Sequence, residues 1–379
     1  MMCEMDASTP GALSDLRILD FSRVLAGPFA TMLLADLGAT VTKVERPGSG
    51  DETRDWGPPF DERGEATYFQ SVNRNKDSVA IDLRSERGSR RARQLAIDAD
   101  VVVENFRPGV MDRLGLGYEQ LSAEHPSLIY CSITAFGRGA GAELPGYDLL
   151  VQAMGGLMSI TGPAEGEPQK VGVAIVDVLA GALAAVGILA ALRHRDATEQ
   201  GQLVEVNLFS ALLSGLVNQG SAYTIAGVVP ERMGNAHPSI APYELFSTGS
   251  GELVLAVGND RQFADLCEVL GVPELASDPR FATNSERVAN RSELRCRLER
   301  QLAGQSAREW ADALTPAGVP AGVVNDVAAA FEFAGLLGLE PVITIPRDDG
   351  TKVRLTRNPL ELSRTPPIYR SGPPSLPEA

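Results

Sequence analysis

Through the first 135 residues, short runs of branched and aliphatic side chains alternate with longer segments of helical periodicity. "LRILDFS" (16–22), "TVTKVE" (40–45), "SVAIDL" (78–83), "VVVEN" (101–105) and "LIYCSIT" (128–134) predict five strands. Between them, "PFATMLLADLG" and "SERGSRRARQLAIDA" repeat apolar positions at helical spacing, the first opened by Gly27-Pro28 and closed by Gly38. Such alternation predicts an α/β architecture: a parallel sheet with helices on both faces, whose ligands lie at the carboxyl ends of the strands. An Ala/Gly-rich helical zone then runs to about Leu192, and "GQLVEVNLFSALLSGLV" reads as a strand entering a helix. From "HPSIAPYELFSTGSGELVLAVGNDRQFADLCEVLGV" the pattern becomes strand, turn, strand, helix, which predicts a smaller α+β unit reaching roughly Val324. Within it, Leu294, Leu298 and Leu302 mark one helix face, and the Pro-rich end "RTPPIYRSGPPSLPEA" predicts extended or disordered chain.

Composition narrows the class. A chain of 379 residues, 44% hydrophobic and 22% charged, is globular and long enough for two domains. The most apolar stretch, Val178 to Leu192, is rich in Ala and Gly and ends in Arg193, His194 and Arg195, which predicts a buried helix and no membrane partner. "MMCEMDASTPGAL" lacks the features of a signal peptide, so the cytoplasm is the expected location. Cys3, Cys131, Cys267 and Cys296 are widely separated and are expected as free thiols, with no metal site. A net charge of −15 excludes nucleic acid as a partner and requires local cations for any anionic ligand.

Those cations lie in the first third of the chain. The loop after the first strand, "SRVLAGPFAT", has only Gly27 where a dinucleotide site needs G-x-G-x-x-G, so a nicotinamide cofactor is disfavoured. Arg46 follows Glu45 at the end of the second strand, suiting a ribose phosphate or equally a solvated loop. Asn73, Arg74, Asn75 and Lys76 precede the third strand, and Asn105, Phe106, Arg107 and Arg113 follow the fourth. Taken as one edge of the sheet, they form a basic, amide-rich rim for an adenine nucleotide, with Phe106 or Leu114 as a wall for the base. Among the histidines, His125 and His194 read as surface residues; His237, between turn-formers and an aromatic strand, reads as structural or functional. Most conspicuous is Asp148 in "PGYDLLVQAMGGLMSITG": no other acid or base follows until Glu165, and a carboxylate heading a buried run must be hydrogen-bonded, paired or used.

With those motifs in order, "LRILDFSRVLAGPFATMLLADLGATVTKVERPGSGDETRDWGPPF", "YFQSVNRNKDSVAIDL", "VVVENFRPGVMDRLGLGYEQL", "YCSITAFG" and "GYDLLVQAMGGLMSITG", the chain resembles the CaiB/BaiF, or class III, CoA-transferases from about Leu16 to about residue 360. The resemblance implies a large Rossmann-like domain (1–200 and 330–379), a connecting segment (201–224) and a small α+β domain (225–329), in an interlocked, ring-shaped homodimer. It implies Asp148 as nucleophile, through an aspartyl anhydride and an aspartyl-CoA thioester. Coenzyme A and its thioesters are then co-substrates, with no permanently bound cofactor. The matching coenzyme A positions are Val24, Leu25, Ala26, Arg46, Asn73, Lys76, Asn105, Phe106, Arg113 and Leu114. Where some relatives carry Lys this chain has Thr134, with Arg138 a possible substitute. A glycine-rich loop of relatives corresponds to Gly258 through Phe263, where Asn259, Asp260 and Arg261 imply a more polar cover. Gly146, Gly155 and Gly156 suit either close thioester approach or helix packing.

Racemases of the same fold carry His before the matching Asp and a second acid downstream; here Tyr147 replaces the His, although Asp177 matches the second acid. Within the transferases, "TRDWGPPF", "SVNRNK", "GLMSITGPAEGEP", "NAHPSIAPYELF" and "GNDRQFADLCEVLGVPEL" resemble the succinyl-CoA:glutarate (hydroxymethylglutarate) group. That implies succinyl-CoA as donor and a short dicarboxylate as acceptor, the alternatives being carnitine, formate or oxalate, and citramalate. Arg54, Arg232 and Arg261 are candidates for the distal carboxylate, and Tyr147, His237, Gly258, Asn259 and Arg261 for other substrate contacts.

Overall fold

The computed structural model describes residues 10–377, so Cys3 lies outside the described chain. Contacts divide it into two compact units: one runs to Leu157 and includes Val171–Val228 and Glu340 onward, the other comprises Met158–Lys170 and Val229–Leu339.

The first unit contains β1 (Arg17–Asp20), α1 (Ala26–Asp36), β2 (Thr40–Glu45), β3 (Lys76–Ala80), α2 (Glu86–Ile97), β4 (Val101–Glu104) and β5 (Ile129–Thr134). It continues with α3 (Asp148–Met154), α4 (Ile175–Thr198), β6 (Leu203–Asn207) and α5 (Leu208–Gly215). Six parallel strands stand in the order β3-β2-β1-β4-β5-β6. This is a doubly wound sheet whose order reverses between β1 and β4, so its ligand crevice is expected outside the carboxyl ends of those two strands. Val101, Val102 and Val103 are fully buried because β4 is central and covered on both faces. The 24-residue α4 is apolar enough to cross a membrane by length and composition. Its small-residue stripe of Ala180, Ala184, Ile188 and Ala191 is instead buried in the core beside α1 and the sheet.

The segment 201–224 contributes to the first unit's sheet and core. β6 pairs along its length with β5, and Leu208, Ala211 and Leu212 of α5 enter the core.

The second unit holds the antiparallel strands β7 (Tyr243–Ser247), β8 (Glu252–Ala256) and β9 (Ala321–Val323) with α6 (Asp260–Val269), α7 (Arg291–Leu302) and α8 (Ala307–Leu314). Leu294, Leu298 and Leu302 form the buried face of α7, as their spacing predicted.

After the chain re-enters the first unit, β10 (Val342–Pro346) and β11 (Lys352–Thr356) form a hairpin. Through residue 377 the Pro-rich end is extended and hydrogen-bonded to the rest of the first unit. Ile368 N–H donates to the Asp36 carbonyl (2.8 Å), the Arg370 guanidinium donates to the Ala39 carbonyl (2.7 Å), and Asn75 accepts from Arg370 N–H (2.7 Å).

Candidate active site

The strand order brings two loops together at the carboxyl edge. After β1, Arg23 through Ala26 lead into α1; after β4, Asn105 and Phe106 turn away from the sheet. Asn105 ties them: its Oδ1 accepts from Arg23 N–H (2.9 Å) and its Nδ2 donates to the Arg23 carbonyl (2.7 Å). Val24 takes a left-handed backbone (φ 68°), an uncommon conformation for a β-branched residue that its surroundings must impose. Asp51 supplies the constraint by accepting from Val24 N–H at 3.2 Å.

Asp51 belongs to a buried ionic lattice. Lys43 Nζ reaches Asp51 (2.9 Å) and the Ser22 carbonyl (2.8 Å), while Lys76 Nζ reaches Asp20 (3.1 Å), the Pro28 carbonyl (2.9 Å) and Asn73 Oδ1 (3.0 Å). Burial would raise the Asp20 pKa, but Lys76 and Lys43 outweigh it and hold the carboxyl below its usual range. Lys76 is driven down to about 8 by burial, against the pull of Asp20. Glu45 accepts both Nε–H and Nη2–H from one edge of the Arg54 guanidinium (2.8 and 2.7 Å), and Arg54 stacks 3.7 Å from the Phe69 ring centroid.

This arrangement corrects the shared rim. Residues preceding β3 lie at the opposite edge from residues following β4, because the strands are parallel, and Lys76 pairs with Val41 near the start of β2. Asn73, Arg74, Asn75 and Lys76 are all buried. Arg74 and Asn75 bind Asp36 and the chain's final segment, whereas Asn73 and Lys76 lie beneath the β1–α1 loop. Arg54 is likewise occupied by Glu45.

Two cavities meet at Arg23 and Phe106. One, about 300 Å³, lies at the end of β2 between Arg46, Arg84, Phe106 and Leu114, with Lys43 and Asp51 also in its lining. The other, about 230 Å³, extends from Val24, Leu25 and Ala26 past Thr134 to Tyr147 and Asp177. Arg113 is exposed and lines neither; Arg138, offered as a substitute for the missing Lys, is paired with Glu205 (2.8 Å). Gly146 and Gly155 serve packing: a Cβ at Gly146 would stand 1.9 Å from the Ala135 Cβ, and one at Gly155 would stand 2.4 Å from Leu212.

Asp148 opens α3 directly after the largely exposed Tyr147, which lines the second cavity together with Asp177. The Asp148 carboxylate is 9% exposed and has no cationic partner within salt-bridge distance among the described residues. Oδ1 accepts from Val176 N–H (2.8 Å) and Asp177 N–H (3.3 Å), the first turn of α4. Oδ2 accepts from Gln152 Nε2 (2.5 Å), and Gln152 Oε1 in turn accepts from Val171 N–H (2.9 Å). The positive end of a long helix thus does what a lysine would do elsewhere, leaving the carboxylate buried yet unneutralised. Burial, then the charge on Asp148, pushes the Asp177 carboxyl up to about 7. Tyr68 is raised by burial and then by Asp177 and Asp148, which locates its phenol in the field of both acids.

Gln152 and Tyr68 escaped sequence reasoning. Gln152 had a usable signal, standing four residues after Asp148 on one helix face; Tyr68 had none. Within the second unit, His237 Nδ1 accepts from Ser239 N–H (3.1 Å) and its ring leans on Tyr243. Asn259 caps α6 by accepting from Gln262 N–H (2.9 Å), Gly258 N–H binds the Gln262 side chain, and Asp260 pairs with the buried Arg287 (2.7 Å). Local structure therefore accounts for the polar residues at 259 and 260. Arg261 is exposed beside Asp265, and Arg232 donates to the carbonyls of Pro163 and Gly166.

Comparison with known proteins identifies the family. The chain is 42% identical over 372 residues to the succinate–glutarate CoA-transferase of Agrobacterium fabrum, covering 97% of this chain and 93% of that one. It is 42% identical over 373 residues to the succinyl-CoA:glutarate CoA-transferase of Mus musculus, covering 96% and 85%. The structure matches that of a CaiB/BaiF family protein from Brucella suis with a TM-score of 0.86, 44% identity and 97% of each chain covered. The model of CoA-transferase family III matches residues 13–378. The chain belongs to CoA-transferase family III.

Proposed function

We propose that the protein moves coenzyme A from succinyl-CoA to glutarate or a related short dicarboxylate, with Asp148 as the covalent nucleophile. One observation carries the reading: a buried carboxylate that, among the described residues, is held by neutral N–H donors, next to the Tyr147 and Asp177 that line a cavity meeting a second, arginine-edged one. A lysine or arginine pair would lower its nucleophilicity, whereas hydrogen bonds from N–H groups orient it without a bound cation. The succinyl-CoA and glutarate assignment draws on the two named relatives at 42% identity.

In this reading coenzyme A runs from Arg46, Arg84, Phe106 and Leu114, which take its nucleotide, along Val24, Leu25, Ala26 and Asn105 to Asp148. Asn73 and Lys76 act through the loop they support. The carboxylate attacks the thioester carbonyl and displaces CoA thiolate; the thiolate attacks the resulting anhydride at the aspartyl carbon and frees the donor acid. The acceptor acid reverses both steps. Thioester energy survives because the buried site excludes water from the anhydride. Tyr147 occupies the position from which a racemase histidine would shuttle protons, so transfer is favoured over epimerisation. Two chains assemble as the interlocked homodimer, a reading supported by exposed apolar side chains such as Ile225 and Leu336 (each 85% exposed).

The test is a donor–acceptor matrix with purified protein. Transfer from succinyl-CoA to glutarate is expected; transfer to carnitine without transfer to any dicarboxylate would reject the substrate assignment. Hydroxylamine trapping after exposure to succinyl-CoA should modify Asp148, and modification elsewhere would reject the nucleophile.

A further inference from the structure

The two oxygens of Asp148 are held by different kinds of partner. Oδ1 receives two backbone N–H groups from the first turn of α4, a 24-residue helix whose inward face is locked in the core. Oδ2 receives one side-chain N–H from Gln152. The Gln152 amide cannot turn over without losing a bond, because its Oε1 already accepts from Val171 N–H. An oxygen that attacks a carbonyl must offer a free lone pair. Oδ1 is committed to a rigid pair of donors, whereas Oδ2 is steadied by one.

We propose that Oδ2 alone attacks and is exchanged during turnover, that Oδ1 stays seated on the α4 N-terminus as carbonyl oxygen and transient oxyanion, and that Gln152 is a further catalytic residue. The proposal rests on the reading of Asp148 as nucleophile. Oδ2 forms a bond to the acyl carbon of the donor thioester; the carbon–sulfur bond breaks and thiolate leaves. The thiolate then adds to the aspartyl carbon, pushing negative charge onto Oδ1, where the Val176 and Asp177 N–H groups meet it. Collapse breaks the bond from the aspartyl carbon to Oδ2, so the donor acid departs with the original Oδ2, which Gln152 Nε2 accompanies as a donor. When the acceptor carboxylate attacks the aspartyl thioester, one of its oxygens bonds to the aspartyl carbon and thiolate leaves again. Final attack of thiolate on the acceptor's acyl carbon breaks the bond from that carbon to the shared oxygen. That oxygen stays on Asp148 as the new Oδ2. Each full cycle replaces one aspartate oxygen and never the other.

The experiment incubates the full-length protein with succinyl-CoA and glutarate labelled with heavy oxygen in its carboxylates, then weighs the peptide containing Asp148. A single heavy oxygen is expected, and the count should stay at one over many turnovers. Two heavy oxygens would overturn the proposal, because the carboxylate would then rotate freely; no heavy oxygen would overturn the nucleophile reading itself. Gln152→Leu should lower kcat by about 10- to 100-fold and let the second oxygen exchange, as Oδ2 loses its anchor. Unchanged kcat with single exchange in that variant would remove Gln152 from the mechanism. Gln152→Glu, nearly isosteric, guards against a folding defect in the leucine variant. Its activity should rise as pH falls and the new carboxyl regains a proton to donate, while a profile parallel to the parent's would count against the role.

Discussion

Asp20 and Asp148 are both buried carboxylates in the first unit, and they are compensated in opposite ways. Asp20, at the end of β1, is fixed by Lys76 Nζ with Lys43 close by, and by the hydroxyls of Ser22 and Thr31. Asp148 is held, among the described residues, by N–H dipoles. Opposite charge makes a carboxylate a structural tie, because proton affinity and nucleophilicity fall together when a cation is bound. Dipoles stabilise the anion while leaving a lone pair to offer. The lattice around Asp20 instead shapes the β1–α1 loop, by drawing on Ser22, Val24 and Pro28.

The largest test of this contrast is at Asp148 itself. Asp148→Ala should lower kcat by about 10⁴-fold or more while equilibrium binding of acyl-CoA and the thermal midpoint change little; residual transfer above one percent would place the nucleophile elsewhere. The converse change is Lys43→Met, which strands Asp51 and the Ser22 carbonyl. It should cost about 3–5 kcal/mol in urea unfolding, since removing one partner leaves the other charge buried alone. A loss below 1 kcal/mol would mean that the lattice is not a tie.

Asp177 gives the pH arm of the comparison. Its carboxyl is raised to about 7, above its value in the unfolded chain, so the unfolded state holds fewer protons in between. Stability from this group is full at low pH and declines as pH climbs from about 4 to about 7. Asp177→Asn should therefore gain about 2 kcal/mol at pH 8 and nothing at pH 4. Equal effects at both pH values would contradict the assignment. The mildest change is Arg46→Ala at the edge of the second cavity, expected to raise KM for acyl-CoA about 10-fold with kcat nearly unchanged and with a weaker salt dependence of KM.

The parallel sheet was legible because strand and helix periods differ, and "TVTKVE" or "VVVEN" cannot be mistaken for helix. The smaller unit was legible for the same reason at "YELFSTGSGELVLAV". Partnerships across long separations were not. Nothing in the sequence tells that Asp148 will meet the backbone of Val176, 28 positions away, or that Arg74 and Asn75 will bind Asp36 and late segments of the chain. The rim failed on direction, since a residue before one parallel strand and a residue after another face opposite edges. The polar residues at 259 and 260, anticipated as a cover over substrate, answer to a helix cap and a buried arginine.

The junction of Asp36, Arg74 and Asn75 with Asn358, Ile368 and Arg370 also sets a timetable for biosynthesis. Asn75 leaves the ribosome 295 positions before Arg370, and at about 5–20 residues per second that interval is roughly 15–60 s. During that wait Arg74 and the Asn75 amide can find Asp36, but Asn75 still lacks the Ile368 carbonyl and the Arg370 N–H that complete its hydrogen bonding. The first unit therefore gains this junction only once residues 368–370 have been made, so its folding is set by the late segment and not by the sheet alone.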